Sequence, residues 1–212
     1  YNGIEKEGYE DVEAKASEKI KRLVRELGQY IIQVARIHPL KNQEVIIKTL
    51  PLLPANIKLA VVGPFDDSGY FRKLKSLTKE LEFQDRVIFL GTITGHDKYY
   101  LMKHAQMMVH MASLEALGNA VHEGMSQGCV CIVSKNTGLE ELIEDGVNGY
   151  HADLYDHRDI AEKINFVLEN QQNTNIQSIK QNNIKVTRNR SWENTAHQLE
   201  EYFLQLLKQN QT

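Results

Sequence analysis

From residue 30 onward the sequence alternates short apolar, β-rich runs with segments of helical periodicity, and nothing else in it constrains the fold as strongly. The expected strands cover residues 30–35, 57–63, 86–91, 107–111, 130–134 and 149–152. Between them, helical patterns cover 42–53, 68–81, 97–104, 119–127, 139–144 and 156–169, with Gly or Pro at most of the joins. Runs such as Leu59-Ala60-Val61-Val62 are apolar at every position, which suits strands covered on both faces. The pattern predicts an α/β fold, a Rossmann-like doubly wound parallel sheet of about six strands.

The flanks read differently. Residues 12–27 carry Ile20, Leu23, Val24 and Leu27 at helical spacing and stop at Gly28, so they form a lead-in helix. Residues 170–183, rich in Asn and Gln, read as a loose connector with at most one turn of helix. Residues 192–208 set Trp192, Ala196, Leu199, Phe203, Leu206 and Leu207 on one stripe behind Ser191 as N-cap, an amphipathic helix that needs a surface to cover. The expected division is therefore 1–28 lead-in, 29–170 Rossmann-like domain and 171–212 connector with C-terminal helix. The chain starts at Tyr1 rather than methionine, inside what reads as a turn, so a fragment of a longer protein is expected.

Composition narrows the function. A net charge of -3 supplies no overall positive field for nucleic acid, so such a role would need a local basic patch. The best candidate, Arg72, Lys73, Lys75 and Lys79, alternates with Leu74, Leu77 and Leu81 and reads as the solvated face of a helix. Cys129 and Cys131 are alternate residues of an apolar run and are expected as free thiols in the core. No stretch approaches the ~18–20 apolar residues of a membrane-spanning helix, and acidic residues after Tyr1-Asn2-Gly3 do not resemble a signal peptide, so a soluble chain is expected.

In open α/β sheets, ligands bind beyond the carboxyl ends of the strands. After the fourth strand, the segment from Ser113 to Glu123 runs from a loop into a helix, with Glu115 in the loop and Glu123 about one turn into the helix. Gly118 permits close approach of a ligand, Asn119 could cap the helix, and the amides of Ala120 and Val121 would face outward as an anion site. Ionised carboxylates accept hydrogen bonds only, which suits them to sugar and ribose hydroxyls. Two glutamates eight apart are nonetheless common, and on spacing alone a helix-opening acid and a surface glutamate are the better account of them. After the first strand, Arg36 and Lys41 put two cations at the same sheet edge, suited to a diphosphate, although two surface charges satisfy that spacing too. His38, His110 and His122 read as a loop residue, a buried hydrogen-bonded residue and helix packing.

Eight pieces in order carry a family resemblance. They are Tyr1-Asn2-Gly3-Ile4, Ala35-Arg36 with Lys41, Val62-Gly63, Arg86 to Gly91, Glu115 to Glu123, Gly138 with Glu141, Asp145 to Gly149, and Ser191-Trp192. Together they resemble the C-terminal, donor-binding domain of retaining GT-B glycosyltransferases, the family 4-like group of glycogen synthases and bacterial mannosyl- and glucosyltransferases. The resemblance implies that Arg36 and Lys41 hold the donor diphosphate, Glu115 contacts the donor sugar and Glu123 takes the ribose hydroxyls. It implies that Gly118, Asn119, Ala120 and Val121 complete the phosphate site, with Thr92 and Ile93 against the base. Glu115, Arg36 and Lys41 are then the catalytic candidates.

The same resemblance implies transfer of a hexosyl group from a nucleoside diphosphate sugar (UDP-, GDP- or ADP-hexose) with retention, without a metal and without a cofactor. The acceptor, a sugar, lipid or polysaccharide, would be bound by an N-terminal domain, and the fragment alone would be inactive. A cytoplasmic enzyme is implied, peripheral to the inner membrane face through that other domain, with no nucleic-acid partner. Three positions depart from the family pattern: Ala35 and Asn42 stand where glycine is usual, and Ala112 where proline is usual. Two other readings remain: another GT-B enzyme, either an epimerase or a phosphorylase, or a noncatalytic flavodoxin-like binding module. The phosphorylase requires a pyridoxal-phosphate lysine with no strong candidate here, and the module a phosphate loop or acceptor Asp that the first and third strand ends lack.

Overall fold

The computed structural model describes residues 3–188 and 190–209. Six strands, β1 (Tyr30–Val34), β2 (Lys58–Val62), β3 (Val87–Gly91), β4 (Met108–His110), β5 (Cys131–Ser134) and β6 (Gly149–Ala152), form one parallel sheet in the order β3-β2-β1-β4-β5-β6. The expected doubly wound sheet is thus the observed one. Its strand order reverses between β1 and β4.

The strands are apolar throughout because each face has its own core. Ile31, Leu59, Val61, Val109 and Ile132 point into one cluster, while Tyr30, Ile32, Ala60, Val62, Met108 and Val133 point into the other. Of the helices, α1 (Val12–Lys15), α2 (Glu18–Leu27), α5 (Gly95–His104) and α6 (Asn119–Ser126) cover the second cluster with Val12, Ile20, Leu101 and Val121. The opposite face is covered by α3 (Gln43–Thr49), α4 (Ser68–Glu80), α7 (His157–Glu169) and α8 (Thr174–Thr187) through Ile46, Leu74, Ile164 and Ile176. Burying each such side chain stabilises the fold by about 1.5–3 kcal/mol.

Several elements differ from the sequence reading. The lead-in helix is two helices, because Ser17 leaves helical geometry and caps α2 with a bond from the Ile20 amide. Residues 42–53 hold a helix of seven residues followed by a 3-10 turn, where Pro51 cannot donate to the helical ladder. Residues 139–144 give only a 3-10 turn, Gly138–Glu141. The largest correction is α8, a 14-residue helix across most of the expected connector. Its Ile176 and Ile179 enter the core, and buried Asn183 donates to the carbonyls of Cys129 and Asn148 at 2.9 and 3.0 Å. An Asn-rich composition concealed this because the burying positions are few and one is polar.

The last helix, α9 (Trp192–Gln209), forms as expected, with Ser191 accepting from the Asn194 amide. Its stripe stays open: Leu199, Phe203 and Leu207 are each more than half exposed. Ile4 pairs with Ser191 in an isolated parallel bridge, tying the first described residues to the start of α9. Tyr1 and Asn2 of the opening motif lie outside the described residues. Both cysteines are buried and free, as expected. Among the described residues no helix is long and apolar enough to cross a membrane.

Candidate functional site

The reversal of strand order between β1 and β4 opens a crevice at their carboxyl ends. A cleft of about 330 Å3 occupies it, lined by Val34 and Ala35 after β1, Lys41, His110 at the end of β4, Glu115, Leu117, and Gly118 to Ala120 at the start of α6. Three larger hollows, of about 650, 710 and 420 Å3, lie by the junction of α8 and α9, beside the outer strand β3, and by Gln29, Asn56 and Gln171. Size does not decide between them; the small cleft sits where the charged groups meet a helix start at the sheet's switch point.

The loop after β1 is held by its backbone. Ala35 and Ile37 donate to the carbonyls of Val62 and Pro64, and Gly63 sits so close to the Ala35 carbonyl that any side chain there would collide with it. This is the physical content of the Val62-Gly63 piece. His38 is a cap, its Nδ1 accepting from the Leu40 amide at 3.2 Å, not a cleft residue. Asn42 adopts the left-handed conformation, φ 48 and ψ 42, which glycine or asparagine tolerates best, so the departure from glycine at this position is a conservative one.

The second loop is clasped to the first. The Ser113 amide donates to the Leu40 carbonyl at 2.9 Å, and Gly138 donates to the Glu115 carbonyl at 2.9 Å from a position where a side chain would strike the Ala116 backbone. Glu115 is the centre of the cleft. Its Oε2 accepts from Lys41 Nζ at 2.6 Å and lies 3.1 Å from His110 Nε2, and its Oε1 accepts from the Gly118 amide at 3.3 Å. A carboxylate can only accept, so His110 donates from Nε2. Hydrogen bonding from His110, reinforced by Lys41, holds the Glu115 carboxyl down from 4.5 to about 2 in spite of partial burial.

Gly118 is the N-cap of α6, in the left-handed conformation with φ 60, and a side chain there would meet Leu139. Asn119 is therefore the first helical residue and not the expected cap. The Val121 amide turns back to the Gly118 carbonyl at 2.8 Å and its side chain is buried, so Val121 does not face the cleft as expected. Asn119 and Ala120 do, at the positive end of the helix.

The remaining candidates lie outside this cleft. Arg36 is exposed on the loop and pairs with Asp66 at 2.9 Å. Glu123, mostly buried on α6, pairs with Lys98 of α5 at 2.9 Å, and burial pushes its carboxyl above the usual range while Lys98 opposes the shift. Thr92 and Ile93 follow β3, with Ile93 packed partly into the core. Sequence reasoning read His110 as buried and hydrogen-bonded without placing it against Glu115, and did not single out Lys98. His110 ends β4 five residues before Glu115, a signal available once β4 is placed; the Lys98–Glu123 contact joins the successive helices α5 and α6 across 25 residues and left none.

A parallel, doubly wound domain with an acid, a lysine and a helix N-terminus at its switch point belongs to the class of α/β domains that bind phosphorylated ligands. Comparison with known proteins gives the family: residues 15–186 match the family described as glycosyl transferases group 1, and the chain belongs to it. Among curated relatives, an uncharacterised glycosyltransferase of Methanocaldococcus jannaschii is 32% identical over 156 residues, covering 70% of this chain and 39% of that protein. The alpha-monoglucosyldiacylglycerol synthase of Streptococcus pneumoniae is 31% identical over 170 residues, covering 76% of this chain and 37% of its own. The chain thus spans under two fifths of the length of these relatives. Anabaena HepE, solved in complex with UDP and glucose, superposes with a TM-score of 0.85 at 25% identity, covering 97% of this chain and 56% of that chain. The domain is one of GT-B type.

Proposed function

We propose that the chain is the donor-binding part of a retaining glycosyltransferase that moves a hexosyl group from a nucleoside diphosphate sugar, without a metal, to an acceptor held by a separate N-terminal domain. The observation that carries this reading is the meeting of Lys41, Glu115 and the start of α6 in one cleft at the switch point. The likeness to HepE, which was solved with UDP and glucose, supports a donor of that kind.

In this reading the diphosphate lies across the N-terminus of α6, with Lys41 beside it and Arg36 turning in from Asp66. As the anomeric C–O bond breaks, negative charge grows on the departing phosphate, and the cations and helix end stabilise it. Glu115, kept ionised, accepts from the donor sugar's hydroxyls and faces the positive charge growing on the sugar. Glu123 accepts from the ribose hydroxyls with Lys98 behind it, and Thr92 and Ile93 lie along the base.

Calorimetric titration with UDP, GDP and ADP and their hexose conjugates tests the proposal. One nucleotide series binds the wild-type chain, and Glu123→Ala and Arg36→Ala each weaken it. Absence of binding at millimolar nucleotide, or unchanged binding in both variants, refutes the donor site.

A further inference from the structure

Every backbone carbonyl from Arg36 to Asn42 accepts a hydrogen bond. Five are served by main-chain amides: Ile37 by Asp67, His38 by Lys41, Pro39 by Asn42, Leu40 by Ser113 and Asn42 by Val45. The two exceptions are the two residues that carry the candidate cations. The Arg36 carbonyl accepts from Gln43 Nε2 at 2.9 Å, and the Lys41 carbonyl accepts from Gln33 Nε2 at 2.8 Å.

Both glutamines are fully buried, at 0% exposure, one on β1 and one at the start of α3. Neither has any other side-chain partner among the described residues, since both Oε1 atoms are buried and unpaired. An unpaired buried carbonyl oxygen is costly, and a methionine of similar length removes that cost. Each amide serves a loop carbonyl that a methionine would leave unpaired, at the cost of its own buried Oε1, and what it supplies is the fixed position of the loop ends.

We infer that Gln33 and Gln43 are positioning residues that clamp the two ends of the Arg36–Lys41 loop and so set both cations for the donor diphosphate. The inference rests on the donor-site reading for its ligand but not for its geometry. Gln33 grips the residue whose ammonium holds Glu115, so it fixes the lysine–glutamate pair at the centre of the cleft. Gln43 fixes the backbone from which the exposed Arg36 side chain swings. Neither touches the ligand in this account.

Two measurements on the whole chain test it: backbone amide exchange across residues 37–42 without ligand, and calorimetric titration with UDP. Gln33→Met and Gln43→Met each accelerate loop exchange and weaken UDP by about three- to tenfold, the loss of one hydrogen bond. Gln33→Glu supplies a second arm. When protonated, its carboxyl still donates to the Lys41 carbonyl; when ionised it cannot, so its UDP affinity relative to wild type falls between pH 5.5 and pH 8. Methionine variants with wild-type exchange and affinity overturn the inference, as does a pH-independent affinity ratio for Gln33→Glu if the methionine variants fail to fold. A wild-type chain that does not bind UDP refutes the donor site instead, and the exchange measurement still decides the clamp.

Discussion

Replacing Glu115 with glutamine changes how stability responds to acid. Glu115 is largely buried, its side chain 19% exposed, and accepts from Lys41, His110 and Gly118. Its carboxyl falls from 4.5 to about 2 in the fold. A group depressed in this way contributes stability that is present above pH ~4.5 and lost as pH falls through ~2. The full shift corresponds to a ceiling of roughly 3 kcal/mol at about 1.4 kcal/mol per unit, and solvent screening at the mouth of the cleft reduces it to about 1–2 kcal/mol. Glutamine keeps the shape but does not titrate. Urea unfolding of wild type and Glu115→Gln at pH 5.5, 4.5, 3.5 and 2.5 isolates the carboxylate from every other acid, because those are common to both proteins. The wild type is the more stable at pH 5.5, and its advantage shrinks by about 1–2 kcal/mol toward pH 2.5. Curves that stay parallel across this range refute the claim that the Lys41–His110 environment holds Glu115 ionised.

Other perturbations probe the surrounding parts. Burial raises the Glu123 carboxyl, so its ionised form is disfavoured in the fold and stability is lost as pH rises through its folded value; Glu123→Gln is neutral or stabilising at pH 7, whereas Lys98→Met strands the buried carboxylate and costs about 2–4 kcal/mol in thermal or urea unfolding. Gly118→Ala forces a left-handed residue with φ 60 against Leu139; it lowers stability by about 1–3 kcal/mol and abolishes nucleotide binding, both read on the same sample. Burial pushes the Cys129 thiol up to about 12 and the Cys131 thiol well above its ordinary value, so neither reacts with a thiol reagent in native buffer and both react in denaturant.

The sheet was legible because its strands are apolar at every position and its joins are marked by glycine and proline, both local signals. Strand order was not, since the reversal between β1 and β4 is a tertiary fact with no local signature. The loop positions of Lys41 and Glu115 followed from strand ends, and the structure brings these two together. Misreadings came where local chemistry was ambiguous. Asn119 is a good cap by type, but Gly118 takes the cap because it alone reaches φ 60 without a clash. Residues 174–187 were hidden by composition, since α8 is anchored by two isoleucines and a buried asparagine whose partners, Cys129 and Asn148, lie far away in sequence. Glu123 and Lys98 paired for the same non-local reason.

The central claim is that the cleft between β1 and β4 receives the diphosphate of a nucleotide sugar. A crystal structure of this chain grown with UDP tests it most directly. The account predicts the diphosphate at the start of α6, within hydrogen-bond reach of the Asn119 and Ala120 amides and of Lys41 Nζ, with Lys41 drawn away from Glu115 and the ribose against Glu123. UDP bound in any of the larger hollows, or in the cleft with the Lys41–Glu115 pair intact and no contact to α6, contradicts it.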